Sequence, residues 1–219
     1  MSRNVTVGLD GSPESRAAAE WAAREAKLRG LPLRLVHVRE PETAEGVRLR
    51  HPGVHVETEQ IPGRPADALA RAAKAAELLV LGSRGLSGIA GFLVGSVGMA
   101  VIADTEIPVV LVRAGEQAAD EHEADPAGIP SAATAHRPVV LGLDTGHPHD
   151  TVIAFAFEES ARRGTSLRVV HGWNLPPYSA SLVVVGRRIR RSPIGVHIGS
   201  VTHAVLHHAT APVAVVAHD

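Results

Sequence analysis

The sequence predicts an α/β fold made of two tandem doubly wound domains, each a parallel sheet with helices on both faces, the second domain truncated. Two observations lead to this prediction. Short apolar runs alternate with helix-forming stretches along the 219 residues, which is typical of parallel sheets that are buried on both faces. The same series of runs occurs twice, and the second series is shorter than the first.

The repeat is defined by two constant offsets. The run "VTVGLDGS" at 5–12 matches "VVLGLDTG" at 139–146, whereas "LLVLG" at 78–82 matches "LVVVG" at 182–186 at a smaller offset. The second copy therefore lacks a stretch between its second strand and its next apolar run. At the first offset the helical residues align as Trp21 with Phe155, Glu25 with Glu159, and Arg29 with Arg163.

The first strand and the first helix have clear sequence signals. The run "VTVGL" is short, apolar and rich in β-branched residues, as in a buried strand. The helix that follows has a capping residue at Ser12, a proline at the first helical position, Pro13, and a stop signal at Gly30.

The rest of the first copy continues the alternation. Strands are predicted at "LRLVHV", at the alternating "VHVETEQI", at "LLVLG" and at "PVVLV", and helices at "GRPADALARAAKAAE" and "SVGMAVIADTE". The connection 39–53 contains two prolines and two glycines. Since a parallel crossover usually includes a full helix, this connection allows only a short helix or a bare crossing.

Three segments are predicted. The first domain spans 1–113 and the shortened second domain 138–219, and the aperiodic, acidic residues 114–137 form a linker. In the second copy only residues 172–181 join two parallel strands, and a connection of this length reaches at most about 33–36 Å. We therefore expect part of that sheet face to be exposed or covered by a partner.

Composition excludes several classes of protein. The chain contains no cysteine, which rules out disulfides, thiolate catalysis and zinc–thiolate sites. A formal net charge of −1 argues against broad attraction to nucleic acid or anionic membranes. The N-terminus enters a strand pattern at once, and no uninterrupted apolar run approaches ~18 residues, so we expect neither a signal peptide nor a membrane span. A soluble, cytoplasmic protein is expected.

Glycines follow the fourth predicted strand in "LVLGSRGLSGIAGFLVGS", residues 79–96. Glycine lets backbone N–H groups approach phosphate oxygens closely, and Gly95-Ser96 opens a helix whose N-terminus favours anions. Strands 1 and 4 flank the switch point of a doubly wound sheet, where ligands bind at the carboxyl ends. Neither a P-loop lysine nor G-x-G-x-x-G is present. The alternative is a loop that is glycine-rich for turn geometry alone.

The spacing Gly82, Gly85, Gly95-Ser96 is the G-x2-G-x9-G-[S/T] pattern of ATP-binding universal stress proteins, which the chain also resembles in "VGLDGS", "LVHV", "GRPADAL" and "IPVVLV". The resemblance covers nearly all of the chain, as a tandem two-domain member. It implies five-stranded parallel sheets of order 3-2-1-4-5, of the adenine nucleotide alpha hydrolase-like type. It also implies adenine nucleotide binding and a regulatory role in the stress response.

The resemblance assigns roles to individual residues. The phosphate-contacting positions fall on Gly82, Gly85, Gly95, Ser96 and Val97. Asp10 corresponds to the acid that contacts the ribose or a nucleotide-bound Mg²⁺ or Mn²⁺, or it is a helix cap beside Ser12. Val38 either lines the adenine or packs as an ordinary strand residue. Arg84 either pairs with a phosphate or is a solvated loop side chain.

The second copy departs from this pattern. Gly186, Asp144 and Gly199-Ser200 are kept, but Ile189 stands where the middle glycine is required and Gly172 where Val38 stands. A branched side chain obstructs the approach of backbone to phosphate, so this half is not expected to bind nucleotide. Three further groups of residues each have two interpretations, of which the structural one is favoured. A solvated loop, or a site for an anion or a partner's phosphate, is predicted at Arg187, Arg188, Arg190 and Arg191. Surface or core histidines, or a shared metal, are predicted at His203 and His207, and hydrogen-bonded core histidines, or ligands, at His37 and His171.

The sequence thus predicts a nucleotide-binding regulatory module that uses ATP or another adenine nucleotide. The alternatives are a weak ATPase and a dimerisation or interaction scaffold that binds no nucleotide. The absence of a positioned general base or activating lysine argues against an enzyme. Because the family commonly pairs its copies through their last strands, residues 107–112 and 211–216 are expected to form an intramolecular pseudo-dimer, with a homodimer as the alternative. The regulatory protein partner cannot be named from sequence.

Overall fold

The strands of the chain lie in one continuous sheet in a computed structural model that describes residues 3–37, 42–85, 92–93, 95–171, 179–189, 199, 202, 205–206 and 208–219. Along the described part of the chain the order is β3-β2-β1-β4-β6-β10-β9-β7-β8, and the short β5 pairs with β4. If the short β5 is left out and β6 is counted as the fifth strand, the first copy has the predicted parallel order 3-2-1-4-5. The α/β class and the doubly wound arrangement are confirmed.

The elements alternate along the chain. The strands are β1 (Asn4–Leu9), β2 (Leu33–His37), β3 (Val56–Gln60), β4 (Ala76–Gly85), β5 (Phe92–Leu93), β6 (Val109–Arg113), β7 (Val139–Gly142), β8 (Leu167–Val170), β9 (Leu182–Arg188) and β10 (Val213–His218). The helices are α1 (Pro13–Arg29), α2 (Glu42–Arg50), α3 (Pro65–Ala73), α4 (Ser96–Asp104) and α5 (Asp150–Arg163).

Each face of the sheet buries a separate apolar core. Helices α1, α2 and α5 pack on one face, with Trp21 as the largest fully buried side chain. Helices α3 and α4 pack on the other face, where Leu69 and Ile102 meet inward residues of the strands. Each core is continuous across both copies, so the strands of one copy extend the core of the other.

The two copies join through their last strands. Strands β6 and β10 pair antiparallel, with Val213 opposite Leu111 and Val215 opposite Val109. This is the pairing of terminal strands that the sequence predicts for an intramolecular pseudo-dimer. Because this pair is antiparallel while the strands within each copy are parallel, the carboxyl ends of the two sets of strands point to opposite edges of the sheet.

Helices α1 and α5 also meet across this junction, through four buried charged residues that we call the Glu–Arg ring. Arg163 donates to Glu25 at 2.6 Å and to Glu159 of its own helix, and Arg29 donates to Glu25 at 2.7 Å and also to Glu159. The side chains of all four are at most 3% exposed. The ring consists of the two residue pairs that align in the repeat, so its members are related by the pseudo-symmetry of the copies.

Strand β8 is exposed, as the shortened connection of the second copy predicts. Val169 is 54% exposed, whereas its counterpart Leu35 in the first copy is fully buried. In the first copy helix α2 adds Ala44 and Val47 to the same face of the sheet. The exposure of Val169 therefore follows from the stretch that the second copy lacks.

Two predicted segments differ in detail. Helix α3 ends at Ala73, and β4 starts at Ala76 and continues through Gly82 to Gly85, beyond the predicted run 78–82. The predicted linker 114–137 contains a 3-10 helix, Ala118–Glu121, and is bound to α1 through Arg24, which donates to Glu116 and Glu121 at 2.6–2.8 Å. The division at 113 and 138 stays a prediction.

Candidate functional site

Asp10 follows β1 directly and supports the start of α1. Its Oδ1 accepts hydrogen bonds from Ser12 Oγ at 2.6 Å and from the Ser12 backbone N–H at 3.0 Å. Ser12 is the N-cap of α1, since its hydroxyl oxygen accepts from the N–H of Ser15 at 3.1 Å. Burial raises the pKa of Asp10, but the hydrogen bonds from Ser12 outweigh it and leave the pKa below its usual value. The exposed carboxylate of Asp10 therefore stays ionised at neutral pH.

Gly82 lies against the first turn of α1. A Cβ atom built on it would lie 2.5 Å from the carbonyl carbon of Glu14 and 2.6 Å from the nitrogen of Ser15. The glycine that the sequence assigns to phosphate contact is thus required by the packing of β4 against α1. It does not end the strand, because β4 continues beside β6 with Gly82 opposite Val112.

The end of β4 pairs with the short strand β5. Arg84 pairs with Leu93 and Gly85 pairs with Phe92 in antiparallel register. Arg84 is therefore a strand residue at the backbone level, where the sequence predicts a loop. Residues 86–91, which include Gly88 and Gly91, lie outside the described part of the chain.

Helix α4 begins with an N-terminus that no side chain of the described residues caps. Gly95 is its N-cap and makes no side-chain capping bond, and the first intrahelical bond runs from the N–H of Met99 to the carbonyl of Gly95 at 3.0 Å. The N–H groups of Ser96 and Val97 precede that bond, and both residues are exposed. A Cβ built on Gly95 would meet no atom within 4 Å, so neither packing nor a positive φ explains this glycine within the described residues.

Asp10 and the start of α4 lie at the same edge of the sheet. Strands β1 and β4 are parallel neighbours with Val7 opposite Val80, so Asp10 and the residues after Gly82 emerge together at their carboxyl ends. Since α4 connects β4 to the parallel strand β6, it starts at this edge. The edge is the switch point between β1 and β4, where doubly wound proteins bind ligands. Val38 lies outside the described residues.

The corresponding edge of the second copy is built differently. Helix α5 begins at Asp150, which aligns with Arg16, so the turn that packs on Gly82 in the first copy has no helical counterpart. In its place His218 lies over Gly186, where a built Cβ would be 2.8 Å from Nε2, and its ring lies against that of His149 with centroids 4.7 Å apart. The chain's own C-terminal strand thus fills space above the retained glycine.

Three sequence interpretations of the second copy need correction or stay open. Arg187 is not a solvated loop residue, because it is only 6% exposed and donates from Nη2 to the carbonyl of Thr105 at 2.8 Å, next to the end of α4. His171 is hydrogen-bonded to the carbonyl of Leu143 at 3.0 Å but is exposed, so it is not a core histidine. Arg190, Arg191, His203 and His207, and the side chain of His37, lie outside the described residues.

Sequence reasoning missed Ser15, His149 and His218. Ser15 contributes the backbone against which Gly82 packs, and its Oγ accepts from the N–H of Asp10 at 3.4 Å. The one signal for His149 is the repeat itself, since 147–149 reads "HPH" where the first copy has "PES" at 13–15. Residues 13–15 favour a helix start, and the aligned histidines do not.

The described ranges contain neither a metal-binding cluster nor a membrane-spanning helix. There, no three His, Asp or Glu side chains come close enough to hold a metal ion. Within the same ranges, no helix combines the length and the apolar character needed to cross a bilayer.

Fold and site together define a tandem, doubly wound α/β protein with an open helix N-terminus at the β1–β4 switch point. The model of the universal stress protein family matches residues 1–52, 42–113 and 177–217. The chain belongs to the universal stress protein family.

Individual relatives agree with this assignment. Universal stress protein Rv2005c of Mycobacterium tuberculosis is 29% identical over 294 aligned positions, which cover 96% of each chain. A universal stress protein from Archaeoglobus fulgidus has the same fold, with a TM-score of 0.61 at 16% identity over the full length of both chains. A universal stress protein crystallised in complex with cAMP is 31% identical and covers 52% of this chain, with a TM-score of 0.43.

Proposed function

We propose that the first half of this protein binds ATP or another adenine nucleotide and that occupancy regulates its association with a partner in the stress response. The observation that carries the proposal is the open N-terminus of α4 at Gly95, Ser96 and Val97, on the same sheet edge as the ionised Asp10. Backbone N–H groups at a helix N-terminus bind phosphate. The last two residues of the G-x2-G-x9-G-S pattern, Gly95 and Ser96, stand at the start of that helix. Adenine nucleotides are abundant in the cytoplasm, which is the location we propose.

The carboxylate of Asp10 is a suitable ligand for a cation that is bound to the nucleotide. Mg²⁺ in proteins commonly takes one or two carboxylates and completes its shell with water and phosphate oxygens. Asp10 provides one ionised carboxylate at this edge, and both of the Ser12 bonds fall on Oδ1. A Mg²⁺ or Mn²⁺ ion held between Asp10 and the nucleotide would neutralise phosphate charge. Asp10 then has two roles, since the same side chain supports the cap of α1.

We propose that the second half binds no nucleotide. His218 occupies the space over Gly186, and the first turn of the aligned helix is missing. Ile189 is fixed by a backbone bond from its N–H to the carbonyl of His218 at 2.6 Å, so the same strand holds this position. The second half then supplies the strand that pairs with β6 in an intramolecular pseudo-dimer. The proposed regulatory protein is a separate partner.

The test compares Gly95→Asp with its repeat counterpart Gly199→Asp by calorimetry with ATP and Mg²⁺. Aspartate is a preferred N-cap, so helix α4 is retained while a negative charge faces the phosphates. We expect one nucleotide per chain, an affinity at least about tenfold weaker in Gly95→Asp because of like-charge repulsion, and an unchanged affinity in Gly199→Asp. A built Cβ at Gly199 also meets no atom within 4 Å, which makes it a matched control.

Two results would contradict the proposal. One is the absence of heat with ATP, ADP, AMP and cAMP on the wild type. The other is loss of binding in Gly199→Asp with full binding in Gly95→Asp, which would move the site to the second half. ADP release measured on the same samples separates binding from turnover, and turnover far above that of Gly95→Asp would favour the ATPase alternative.

A further inference from the structure

A cavity of about 290 Å³ lies at the junction of the two copies, where the carboxyl end of β6 meets the segments that lead into β9 and β10. Its wall combines residues of both copies and of the connecting segment, namely Arg113, Gly115, Glu116, Asp120, Arg137 and Thr210. Since β6 pairs with β10 inside one chain, this cavity exists only because the copies are joined. The cavity is separate from the candidate nucleotide site, since neither Asp10 nor the first residues of α4 line it.

Arg137 is the unusual member of this wall. Its side chain is half-buried, and its Nε is fully buried without a hydrogen-bond acceptor. Among the described residues no carboxylate or carbonyl accepts a hydrogen bond from its guanidinium. A buried N–H donor without an acceptor is costly, because the donor loses water and gains nothing in return. The backbone of Arg137 is meanwhile fixed by a bond from its N–H to the carbonyl of Glu121 at 2.9 Å.

The acidic residues of the wall have partners elsewhere. Glu116 accepts two bonds from Arg24 of helix α1, at 2.6 and 2.8 Å. Asp120 accepts from the backbone N–H of Gln117 at 2.9 Å, within the cap of the 3-10 helix. Burial raises the pKa of Glu116 to about 7, against the pull of Arg24, so part of its negative charge is lost at neutral pH. Among the described residues, neither carboxylate forms a hydrogen bond or an ion pair with Arg137.

We propose that this cavity binds a small molecule bearing an oxyanion, a carboxylate or a phosphate, through the guanidinium of Arg137. A planar guanidinium suits such groups because its N–H donors form parallel bonds to two oxygens. Arg113 also lines the wall. The volume is at the lower end of the ~300–1,000 Å³ typical of ligand pockets, so the ligand is a small metabolite and not a nucleotide. Its binding would contact both copies.

The test is a ¹⁵N NMR titration of the full chain with inorganic phosphate in one arm and acetate in the other. We expect saturable shifts of the Gly115 and Thr210 amides, with an affinity at least about tenfold weaker in Arg137→Gln, since a charge-assisted pair is lost. Arg71→Gln, on the exposed side of α3 away from the cavity, serves as the control and should bind like the wild type. Whichever of phosphate and acetate binds more tightly identifies the class of oxyanion that the cavity prefers.

Phosphate could also bind at the start of α4, so Gly95→Asp is titrated in parallel. Shifts at Gly115 and Thr210 that persist in Gly95→Asp and vanish in Arg137→Gln support the cavity, whether or not ATP binding is confirmed. The absence of shifts there, shifts confined to residues 95–97, or full binding by Arg137→Gln would overturn it. If Arg137→Gln unfolds, Arg137→Lys takes its place in the test. Lysine keeps the positive charge but lacks the two parallel N–H donors of the guanidinium, so weaker binding by a folded Arg137→Lys supports the same conclusion. Binding by Arg137→Lys as tight as that of the wild type would contradict it.

Discussion

Gly82 and Gly95 belong to one sequence motif but are glycines for different physical reasons. A side chain at Gly82 would collide with the backbone of Glu14 and Ser15, whereas a side chain at Gly95 would enter open space. Backbone atoms of a helix cannot move aside as the end of a flexible side chain can. Gly82 therefore serves the fold, whereas no contact among the described residues requires a glycine at Gly95.

We expect Gly82→Ala to destabilise the protein by about 1–3 kcal/mol through overpacking, and Gly95→Ala by less than about 1 kcal/mol. Urea denaturation of both variants measures the difference. Equal stabilities would show that α1 can shift away from β4, and the steric explanation of Gly82 would then be wrong.

Local signals in the sequence lead to this candidate site, but they do not contain all of its geometry. The spacing from Gly82 to Ser96 and the position of Asp10 after a strand are local signals, and they lead to the β1–β4 edge. The collision of Gly82 with Glu14 depends on how β4 packs against α1, which no local pattern contains. The same holds for His218 over Gly186, where two residues distant in sequence meet.

At the scale of elements, the ends of helix α1 follow from local sequence signals, whereas the end of β4 and the start of α5 do not. Ser12 caps α1 and Gly30 ends it with a φ of 63°, both as predicted. The extension of β4 to Gly85 was not predicted, because its last residues have no apolar pattern and are held by pairing with β5 and β6. Helix α5 starts one turn later than the repeat implies, because His149 is a poor cap and makes no capping bond.

The packing of α1 on α5 depends on the Glu–Arg ring. Arg163→Met would leave Glu25 and Glu159 buried with fewer partners, and we expect a loss of about 3–5 kcal/mol in the free energy of unfolding. Lys27 of α1 is exposed and is not a member of the ring, so Lys27→Met should cost less than about 1 kcal/mol. Chemical denaturation of the two variants provides the measurement. Similar stabilities would mean that apolar contacts, and not the ring, hold the helices together.

At the scale of the whole molecule, the ring couples the junction of the copies to pH. Burial and the charge of Glu25 raise the pKa of Glu159 to about 7, although Arg163 and Arg29 oppose this shift. The pKa of Glu25 is about 2, because Arg163 and Arg29 outweigh its burial. An unfolded glutamate titrates near 4.3, so between about pH 4.5 and 7 the folded ring holds a proton that the unfolded chain has released. The contribution of Glu159 to stability therefore falls as pH rises through this window.

Glu159→Gln isolates this contribution. We expect the difference in unfolding free energy between wild type and Glu159→Gln to decline from pH 4.5 to 7 by up to about 1.4 kcal/mol per pH unit. Denaturation curves recorded across that range for both proteins give the difference directly. A difference that is flat with pH, or that grows, would show that Glu159 is ionised in the folded protein throughout.

The antiparallel pairing of β6 with β10 has a consequence for how the protein responds to dilution. Two separate chains that met through their last strands would come apart as their concentration fell. Within one chain the partner is always present at an effective concentration set by the connecting segment 114–137, which Arg24 holds against α1. The paired arrangement is therefore independent of how much protein a cell makes, and the two halves stay together even when the chain is scarce.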